Sequence, residues 1–435
     1  MRERRRGIYL LYQLVLAIGS LLLMPWVLSR LLFQPGFRRG FPQRLGFLTP
    51  LPAGPKRVLL HGVSVGEVKA LRPLIHLLQK ERPDYELVVS STTASGLQTA
   101  RQAFPDLKTV HFPLDFNGST KRFIKRVAPT AVILAELEIW PNFLRHCNRR
   151  EIPVAIVNGR ITERSMGGYQ RVQKLLPQFD RIALYCVQNQ RYADRFLGLD
   201  VPPESVEVTG NLKYDSLPKG LSEAAQPWAD MIDGRPAVVL ASTHEPEEEQ
   251  FIRALQAADG MPSALWVVVP RHPHRAAKLE AALKKAAPDS QVIVRSRWPQ
   301  QGADGGHELA LPDNCILLVD TFGELEAIYS AVAFAFVGGS LIEHGGQNVL
   351  EPAAFALPVV VGPHTDNFVE EVQLLKDAGG LHAADNLPVL LECARNWLTD
   401  PSQAKKAGMA GQAALDSRRG AAQTTFDALT SAGIL

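Results

Sequence analysis

Residues 58–68 have the sequence Val-Leu-Leu-His-Gly-Val-Ser-Val-Gly-Glu-Val, and this stretch decides the fold class. Its apolar beginning is continuous rather than alternating, which predicts a strand buried on both faces of a parallel sheet. Ser64 and Gly66 allow a tight turn, and Glu67 falls in the first turn of the helix that follows. The stretch therefore predicts one strand–turn–helix unit of an α/β domain.

Apolar runs of the same continuous kind recur along the chain and fall into two series. The first series of predicted strands comprises residues 58–61, 87–91, 109–112, 131–135, 153–157, 182–187 and 206–208. The second series comprises residues 237–242, 264–269, 291–294, 316–319, 334–337 and 359–361. Amphipathic stretches such as 68–80 and 119–127 predict helices between the strands. Together they predict two doubly wound α/β domains of the Rossmann-like type.

The stretch 216–236 separates the two series and is rich in proline and glycine, which is typical of a linker between domains. We therefore expect a first α/β domain at 47–220 and a second at 221–435. A membrane anchor with an interfacial segment is expected before them, at 1–46. The last helix could pack back on the first domain. Residues 296–314 predict a surface loop. Two such domains would face a cleft, with the ligand at the carboxyl ends of the strands.

Composition excludes several classes of function. Hydrophobic residues make up 46% and charged residues 21% of the 435, the balance of a folded globular protein with more than one core. The formal net charge of +3 gives no overall polycation, so we expect no nucleic-acid partner. The cysteines lie far apart without CxxC spacing, which predicts neither a zinc site nor a disulfide scaffold. They are Cys147, Cys186, Cys315 and Cys393.

The N-terminal segment carries 23 uncharged, mostly apolar residues between Arg6 and Arg30. A membrane-spanning helix needs about 20 such residues. A buried core helix and a cleavable signal peptide are the alternatives, although no small-residue cleavage site followed by a polar stretch is present. Arginines flank both ends, so the positive-inside rule leaves the orientation open. Residues 33–47, with arginine and phenylalanine, predict an interfacial stretch suited to anionic lipid head groups.

Three acidic or basic motifs in the first half could carry chemistry. Glu67 could act as a general base toward a sugar hydroxyl, or could only complement the helix dipole. Residues 134–142, Leu-Ala-Glu-Leu-Glu-Ile-Trp-Pro-Asn, place Glu136 and Glu138 after an apolar strand, where acids are costly unless used or paired. A salt bridge, a helix cap and a metal-binding pair are the alternatives there. Lys213 could neutralise an anionic substrate group, or could be a solvated loop lysine.

Polar loops follow the strands of the second half. They are Ala241-Ser-Thr-His244, Pro270-Arg-His-Pro273, Asp320-Thr-Phe-Gly-Glu-Leu325, Val337-Gly-Gly-Ser-Leu341 and Gly345-Gly-Gln-Asn-Val-Leu-Glu-Pro352. We expect 337–341 to open a helix and offer its backbone amides to a phosphate, and Glu351 to suit a ribose hydroxyl pair. Polar loops at successive strand ends predict a nucleotide pocket. Neither Walker A nor GxGxxG after a strand occurs, which disfavours an NTPase or a dehydrogenase.

In this order, the motifs resemble those of the Kdo (3-deoxy-octulosonic acid) transferases of lipopolysaccharide assembly. The resemblance covers almost the whole chain and includes Asn-Gly-Arg at 158–160 and Gly-Pro-His-Thr-Asp-Asn-Phe at 362–368. It implies a GT-B fold and an inverting, metal-independent transfer of Kdo from CMP-Kdo to a lipid A precursor, lipid IVA, without a cofactor. It also implies an N-terminal anchor in the lipids of the cell inner membrane, with the body on the cytoplasmic side.

The resemblance further implies roles for individual residues. Glu67 would be the general base, and Glu136 and Lys213 would stabilise the transition state. CMP contacts are expected from Pro270, Arg271, Phe322, Gly323, Glu324, Asn348, Val349, Leu350 and Glu351. Gln347 stands where the resemblance leads us to expect a histidine.

Two other functions stay open at this level. One is a GT-B transferase or epimerase that uses a UDP-sugar. Comparing CMP with UDP as product inhibitors distinguishes it from a CMP-sugar enzyme. The other is a catalytically inactive membrane scaffold of the same fold, which a single turnover assay excludes.

Overall fold

The chain forms two compact units in its structure, which is a computed structural model: Met1–Ser216 with Arg418–Leu435, and Leu217–Ser417. The structure describes residues 2–52, 54, 56–218, 220, 226–298 and 311–435. Parts of the predicted linker and of the predicted surface loop, at 219, 221–225 and 299–310, lie outside the described residues.

The first unit is built on a parallel sheet whose central strands are buried on both faces. Within the described residues the order is β3-β2-β1-β4-β5-β6-β7. The strands are β1 Lys56–His61, β2 Tyr85–Ser91, β3 Lys108–His111, β4 Ala131–Ala135, β5 Val154–Gly159, β6 Leu184–Val187 and β7 Val206–Val208. The strand order reverses between β1 and β4, which pair so that His61 lies opposite Leu134. Ligands of open α/β sheets bind at such a switch point.

Helices cover both faces of this sheet, and the last helix of the chain belongs to this unit. They are α1 Arg2–Phe33, α2 Pro35–Arg44, α3 Val65–Ala70, α4 Arg72–Glu81, α5 Ala94–Ala103, α6 Asn117–Val127, α7 Pro141–Asn148, α8 Glu163–Leu175, α9 Gln190–Leu197, α10 Leu212–Asp215 and α19 Ala421–Ser431. The start of α19 is fixed because the backbone amides of Gly420 and Ala422 both donate to the Asp215 carboxylate at 2.7 Å.

The second unit repeats the architecture, with the described strands in the order β10-β11-β9-β8-β12-β13-β14. They are β8 Ala237–Thr243, β9 Leu265–Pro270, β10 Gln291–Val294, β11 Cys315–Leu318, β12 Phe334–Val337, β13 Val359–Val361 and β14 Leu381–Ala383. Its helices are α11 Gln226–Ile232, α12 Glu247–Ala257, α13 Ala276–Ala286, α14 Leu325–Tyr329, α15 Leu350–Ala354, α16 Val369–Asp377, α17 Leu387–Thr399 and α18 Pro401–Asp416.

The prediction of two parallel, Rossmann-like sheets is confirmed, and each predicted strand is present with bounds shifted by at most two residues. No strand was predicted at β14, because this three-residue edge strand exposes its central His382 and has no continuous apolar run. The prediction of one helix over 68–80 is wrong. It is divided between α3 and α4 because Pro73 has no N–H for the helical ladder, so a new helix begins at Arg72.

The N-terminal helix is apolar and exposed. Gly7–Phe33, 27 residues of α1, form the one helix in the described part of the chain that is long and apolar enough to cross a membrane. The buried-core alternative is wrong, because side chains such as Leu22 (76%) and Phe33 (79%) face outward.

Candidate active site

Glu67 is held at the start of α3 by both of its carboxylate oxygens. Ser64 caps the helix, and its hydroxyl donates to Glu67 Oε1 at 2.8 Å. The backbone amide of Val63 donates to Oε2, also at 2.8 Å. The carboxylate is thus fixed over the turn that follows β1, at the switch point of the sheet. This geometry serves the helix N-terminus and also orients a base, so both interpretations of Glu67 fit it.

Glu136 follows β4, the strand next to β1, in a left-handed backbone conformation with φ of 59°. Few residues other than glycine adopt this conformation, and such strain persists where the surrounding structure enforces it. The Glu136 amide donates to the carbonyl of Val157 on β5 at 2.9 Å, which fixes the bend. The bend directs the chain away from the sheet directly after β4.

Arg160 is the ion-pair partner of Glu136, with Nε 2.8 Å from Oε2. Burial raises the pKa of Glu136, and the Arg160 charge and hydrogen bond act in the opposite direction. The charge of Glu67 raises the Glu136 pKa further, and that of Lys213 lowers it. All three predicted catalytic residues therefore lie close enough to form one electrostatic cluster. Glu136 therefore forms the salt bridge that was one of its alternatives. The charge of Lys213 also reaches this candidate catalytic residue.

Glu138, for which the sequence left a salt bridge, a helix cap and a metal-binding pair open, belongs to the same cluster. Burial raises its pKa to about 8, and the charges of Glu67 and Glu136 add to this effect. Both effects favour the protonated form of Glu138 near neutral pH. Among the described residues, no three His, Cys, Asp or Glu side chains are grouped so as to hold a metal ion.

Lys213 reaches the cluster because two asparagines shape the loop after β7. Asn211 caps α10 by accepting from the Lys213 amide at 3.0 Å. Asn158, near the end of β5 with φ of 55°, accepts from the Leu212 amide at 3.0 Å. Three loops, after β4, β5 and β7, are therefore held together by hydrogen bonds. Asn158 and Arg160 belong to a motif quoted for the resemblance, but only the tertiary contacts give them their positions.

In the second unit, the predicted CMP residues lie on loops at the carboxyl ends of the strands. Pro270 ends β9, and the amide of the exposed Arg271 donates to Thr243 O, at the end of β8, at 2.9 Å. Phe322 is 83% exposed, and Gly323 has a φ of 84° that favours glycine. The carboxylate of Glu324 accepts from Arg295 Nε at 3.1 Å and from the hydroxyl of Thr321.

The predicted residues before and within α15 divide into two kinds. Asn348 accepts from the Leu350 amide at 3.1 Å and donates to Glu351 Oε1 at 3.0 Å, so these polar groups are oriented together. Val349 and Leu350 are 1% and 3% exposed, and their side chains belong to the core. Only the backbone of these two residues is suited to a ligand.

The loop 337–341 does not have its predicted role. It opens no helix, and its amides are occupied by the fully buried carboxylate of Glu247. Gly339, Ser340 and Leu341 donate to this carboxylate at 2.7, 3.0 and 2.9 Å, and His244 donates at 2.9 Å. An internal carboxylate thus takes the place we expected for a phosphate. Sequence reasoning missed Glu247 because it lies in a run of three glutamates with the appearance of a helix start.

Histidines cluster at the same sheet edge. The His244 ring lies 4.0 Å from His344 and 5.8 Å from His272, between centroids. Burial lowers the pKa of His244 to about 4, aided by the neighbouring histidines and by Arg275 and Arg271. Gln347 Nε2 lies 3.1 Å from His244 Nε2. The edge that carries the predicted CMP residues is therefore rich in imidazole and guanidinium groups.

Comparison with known proteins places these sites in context. Residues 39–216 match a family model described as 3-deoxy-D-manno-octulosonic-acid transferase (kdotransferase). The chain is 33% identical to a 3-deoxy-D-manno-octulosonic acid transferase of Haemophilus influenzae, over 91% of this chain and 92% of that protein. A transferase of the same name from Bordetella pertussis is 33% identical over 89% of each chain.

Solved structures share the fold. The UDP-GlcNAc 2-epimerase of Neisseria meningitidis, bound to UDP-GlcNAc, superposes with a TM-score of 0.59 over 86% of this chain and all of that one. The sequence identity is 13%, so the likeness concerns the architecture alone.

Proposed function

Because the chain belongs to the 3-deoxy-D-manno-octulosonic acid (Kdo) transferase family, we propose that it transfers Kdo from CMP-Kdo to the lipid A precursor lipid IVA, with inversion and without a metal. The chain is a glycosyltransferase of lipopolysaccharide biosynthesis. The donor, the acceptor and the chemistry of the transfer are the proposed parts.

One observation carries the mechanism. Glu67, Glu136 and Lys213, which lie far apart in the sequence, form one electrostatic cluster at the switch point of the first sheet. An acceptor hydroxyl placed at Glu67 gives its proton to the carboxylate as its oxygen bonds to the anomeric carbon of Kdo. The bond from that carbon to the phosphate oxygen breaks, and CMP leaves with the electron pair. General-base catalysis of this type contributes about 10²–10⁴-fold in rate.

Positive charge in the same cluster supports the second part of the proposal. Lys213 and Arg160 present an ammonium and a guanidinium beside the partly buried Glu136. Both the donor, with its carboxylate and phosphate, and the phosphorylated acceptor are anionic. Lys213 neutralises this charge as it develops, and Glu136 holds the cations in place. Fixed charges in a site of low dielectric constant are worth more than the same charges in water.

The donor nucleotide is assigned to the second unit. Arg271 supplies a guanidinium for the phosphate, the exposed Phe322 supplies a face for the base, and Glu351 accepts from the ribose hydroxyls. The observed orientation of Glu351 by Asn348 supports this assignment. The loop 337–341 is left out, because its amides already bind Glu247.

We assign α1 to anchorage in the cell inner membrane, with the catalytic body on the cytoplasmic side, where a water-soluble nucleotide sugar is supplied. The basic and aromatic stretch 33–47 would contact lipid head groups. The lipid acceptor supports this location.

The proposal is tested by incubating the purified full-length protein with CMP-Kdo and tetraacylated lipid A precursor, with and without EDTA. We expect a mass increase of one or more Kdo units, unaffected by EDTA, and inhibition by CMP but not by UDP. Inhibition by UDP alone would identify a UDP-sugar enzyme. The absence of any turnover would indicate an inactive scaffold.

A further inference from the structure

The N-terminal helix contacts the body of the first unit near its beginning. Tyr12 donates its hydroxyl to Asp115 Oδ2 at 2.8 Å, and Gln13 donates to Asn142 Oδ1 at 2.6 Å. One turn earlier, Tyr9 is 5% exposed and donates to Gln178 Oε1 at 3.1 Å. These three side chains lie at i, i+3 and i+4 and therefore form one face of the helix. The beginning of α1 is docked through polar contacts.

The contact on the body is a built part of the fold. Asp115 is 7% exposed, and it also accepts from the amides of Asn142 and Phe143 at 2.9 and 2.8 Å. These two amides belong to the first turn of α7, which otherwise lacks partners for them. Tyr12 therefore binds a carboxylate that is already fixed by the helix following Glu136 and Glu138.

The chain returns to the same place after the helix. The amide of Leu114 donates to the carbonyl of Arg44, the last residue of α2, at 2.7 Å. Leu114 precedes Asp115 directly, so the beginning of α1 and the end of α2 are attached to neighbouring residues. Gln43 and Gly40, both on α2, contact His111 at the end of β3. The segment from Tyr12 to Arg44 is thus a helical hairpin with both ends on one side of the body.

The dimensions do not allow α1 to cross a bilayer while both contacts persist. From Tyr12 to Phe33 the helix extends roughly 31 Å, about the thickness of a hydrocarbon core. The return helix α2 has ten residues and extends only about 15 Å. It packs back along α1, with the rings of Trp26 and Phe37 6.2 Å apart. A helix that crossed would leave its far end on the side opposite Leu114 and Asp115.

The surface of the hairpin is nevertheless apolar. Its outward-facing side chains are half exposed or more and include Leu10, Leu14, Val15, Leu21, Leu22 and Phe33. Trp26 stacks with the Arg30 guanidinium at 4.5 Å, a pair suited to the boundary of the head groups. Leu21, Leu22, Leu23 and Met24 are all exposed, so the apolar surface runs round the whole of α1, as in a helix surrounded by lipid.

We infer that α1 and α2 form a monotopic hairpin, inserted into one leaflet from the side of the body, and that the N-terminus stays on that side. The inference rests on the proposal that α1 anchors the chain in a membrane. It explains the charge pattern that the positive-inside rule left open. Arg2, Arg4, Arg5 and Arg6 before the apolar run and Arg30, Arg38, Arg39 and Arg44 after it all stay on one side.

Single cysteines test this topology in the full-length chain. Glu3→Cys reports the N-terminus without loss of an arginine, Glu81→Cys reports the exposed end of α4, and Gln34→Cys reports the turn between α1 and α2. Cys393 is replaced by serine, and the other native cysteines are buried. A membrane-impermeant maleimide is applied to spheroplasts and to inverted vesicles, before and after detergent.

We expect Glu3→Cys, Gln34→Cys and Glu81→Cys to react from the same side of the membrane, since Gln34 lies between Arg30 and Arg38. Reaction of Glu3→Cys and Glu81→Cys from opposite sides would overturn the hairpin and leave a crossing anchor. Reaction of both in spheroplasts would keep the hairpin and refute the cytoplasmic location. A chain that does not sediment with membranes would refute both hairpin and anchor. The transferase assay does not depend on any of these results, so it tests the proposed function separately.

Discussion

At the scale of the residue, Glu67 combines a capping contact with the position of a base, and one substitution separates the two. Glu67→Gln keeps the shape and removes the basicity, so we expect turnover to fall at least about a hundredfold. Loss of charge at the helix start should reduce stability by only about 0.3–1 kcal/mol. Steady-state turnover, CMP titration and thermal melting are measured together, with the exposed Glu81→Gln as control. A folded Glu67→Gln protein within a few-fold of the parent rate would move the base to Glu136.

Glu138 provides a second prediction at this scale, on pH. Burial, with the charges of Glu67 and Glu136, raises its pKa from 4.5 to about 8. Between these values the folded state binds more protons than the unfolded state, so stability falls as the pH rises through this window. Glu138→Gln removes the titration, and the difference in Tm between pH 6 and pH 9 should shrink. The exposed Glu204→Gln should keep the parent difference. An unchanged difference in Glu138→Gln would show that the carboxyl ionises at its ordinary pH.

At the scale of the element, the run Glu247-Glu248-Glu249 at the start of α12 shows how one helix position fixes two loops. Glu247 binds the amides that follow β8 and β12, and Gly338 permits the approach, since a Cβ there would lie 2.5 Å from Thr243 Cα. Glu247→Gln turns one acceptor oxygen into a donor that faces two amides. Each unsatisfied buried donor costs about 1–3 kcal/mol.

We therefore expect Glu247→Gln to lower the free energy of unfolding by roughly 2–6 kcal/mol. Urea unfolding followed by fluorescence measures the loss. Glu249→Gln, on the same helix turn with an ion pair to Arg253, is the matched control and should change stability by about 0–1 kcal/mol. Equal effects of the two substitutions would contradict the assigned role of Glu247.

Across the whole molecule, the two sheets hold separate parts of the proposed reaction, and the N-terminal hairpin is the proposed attachment to the membrane. Deletion of residues 1–32 should leave a folded body that no longer partitions stably into bilayers. Residual binding through Arg38, Arg39 and Arg44 is allowed, at about 1 kcal/mol for each basic residue. Fractionation measures partitioning, and circular dichroism checks folding. A truncated chain that stays with membranes to the extent of the full-length chain would refute the anchor.

The two sheets could be predicted from the chain alone, because burial on both faces requires continuous apolar runs that are visible locally. It also placed the polar loops at strand ends, and its motifs indicated the family. Even the break at Pro73 had a local signal in the missing N–H. Only β14 lacked one, because an exposed edge strand has no apolar run.

Which distant group satisfies which buried one depends on the folded arrangement. Glu247 lies 92 residues from the Gly339 amide it accepts from, and Tyr12 lies 103 residues from Asp115. Nothing local distinguishes Glu247 from Glu249, since both occupy the start of one helix. They differ because folding brings β12 beside β8, where buried backbone amides that water does not reach need an acceptor. Pairing across the fold, rather than pattern along the chain, thus separates the buried carboxylate from the solvated one.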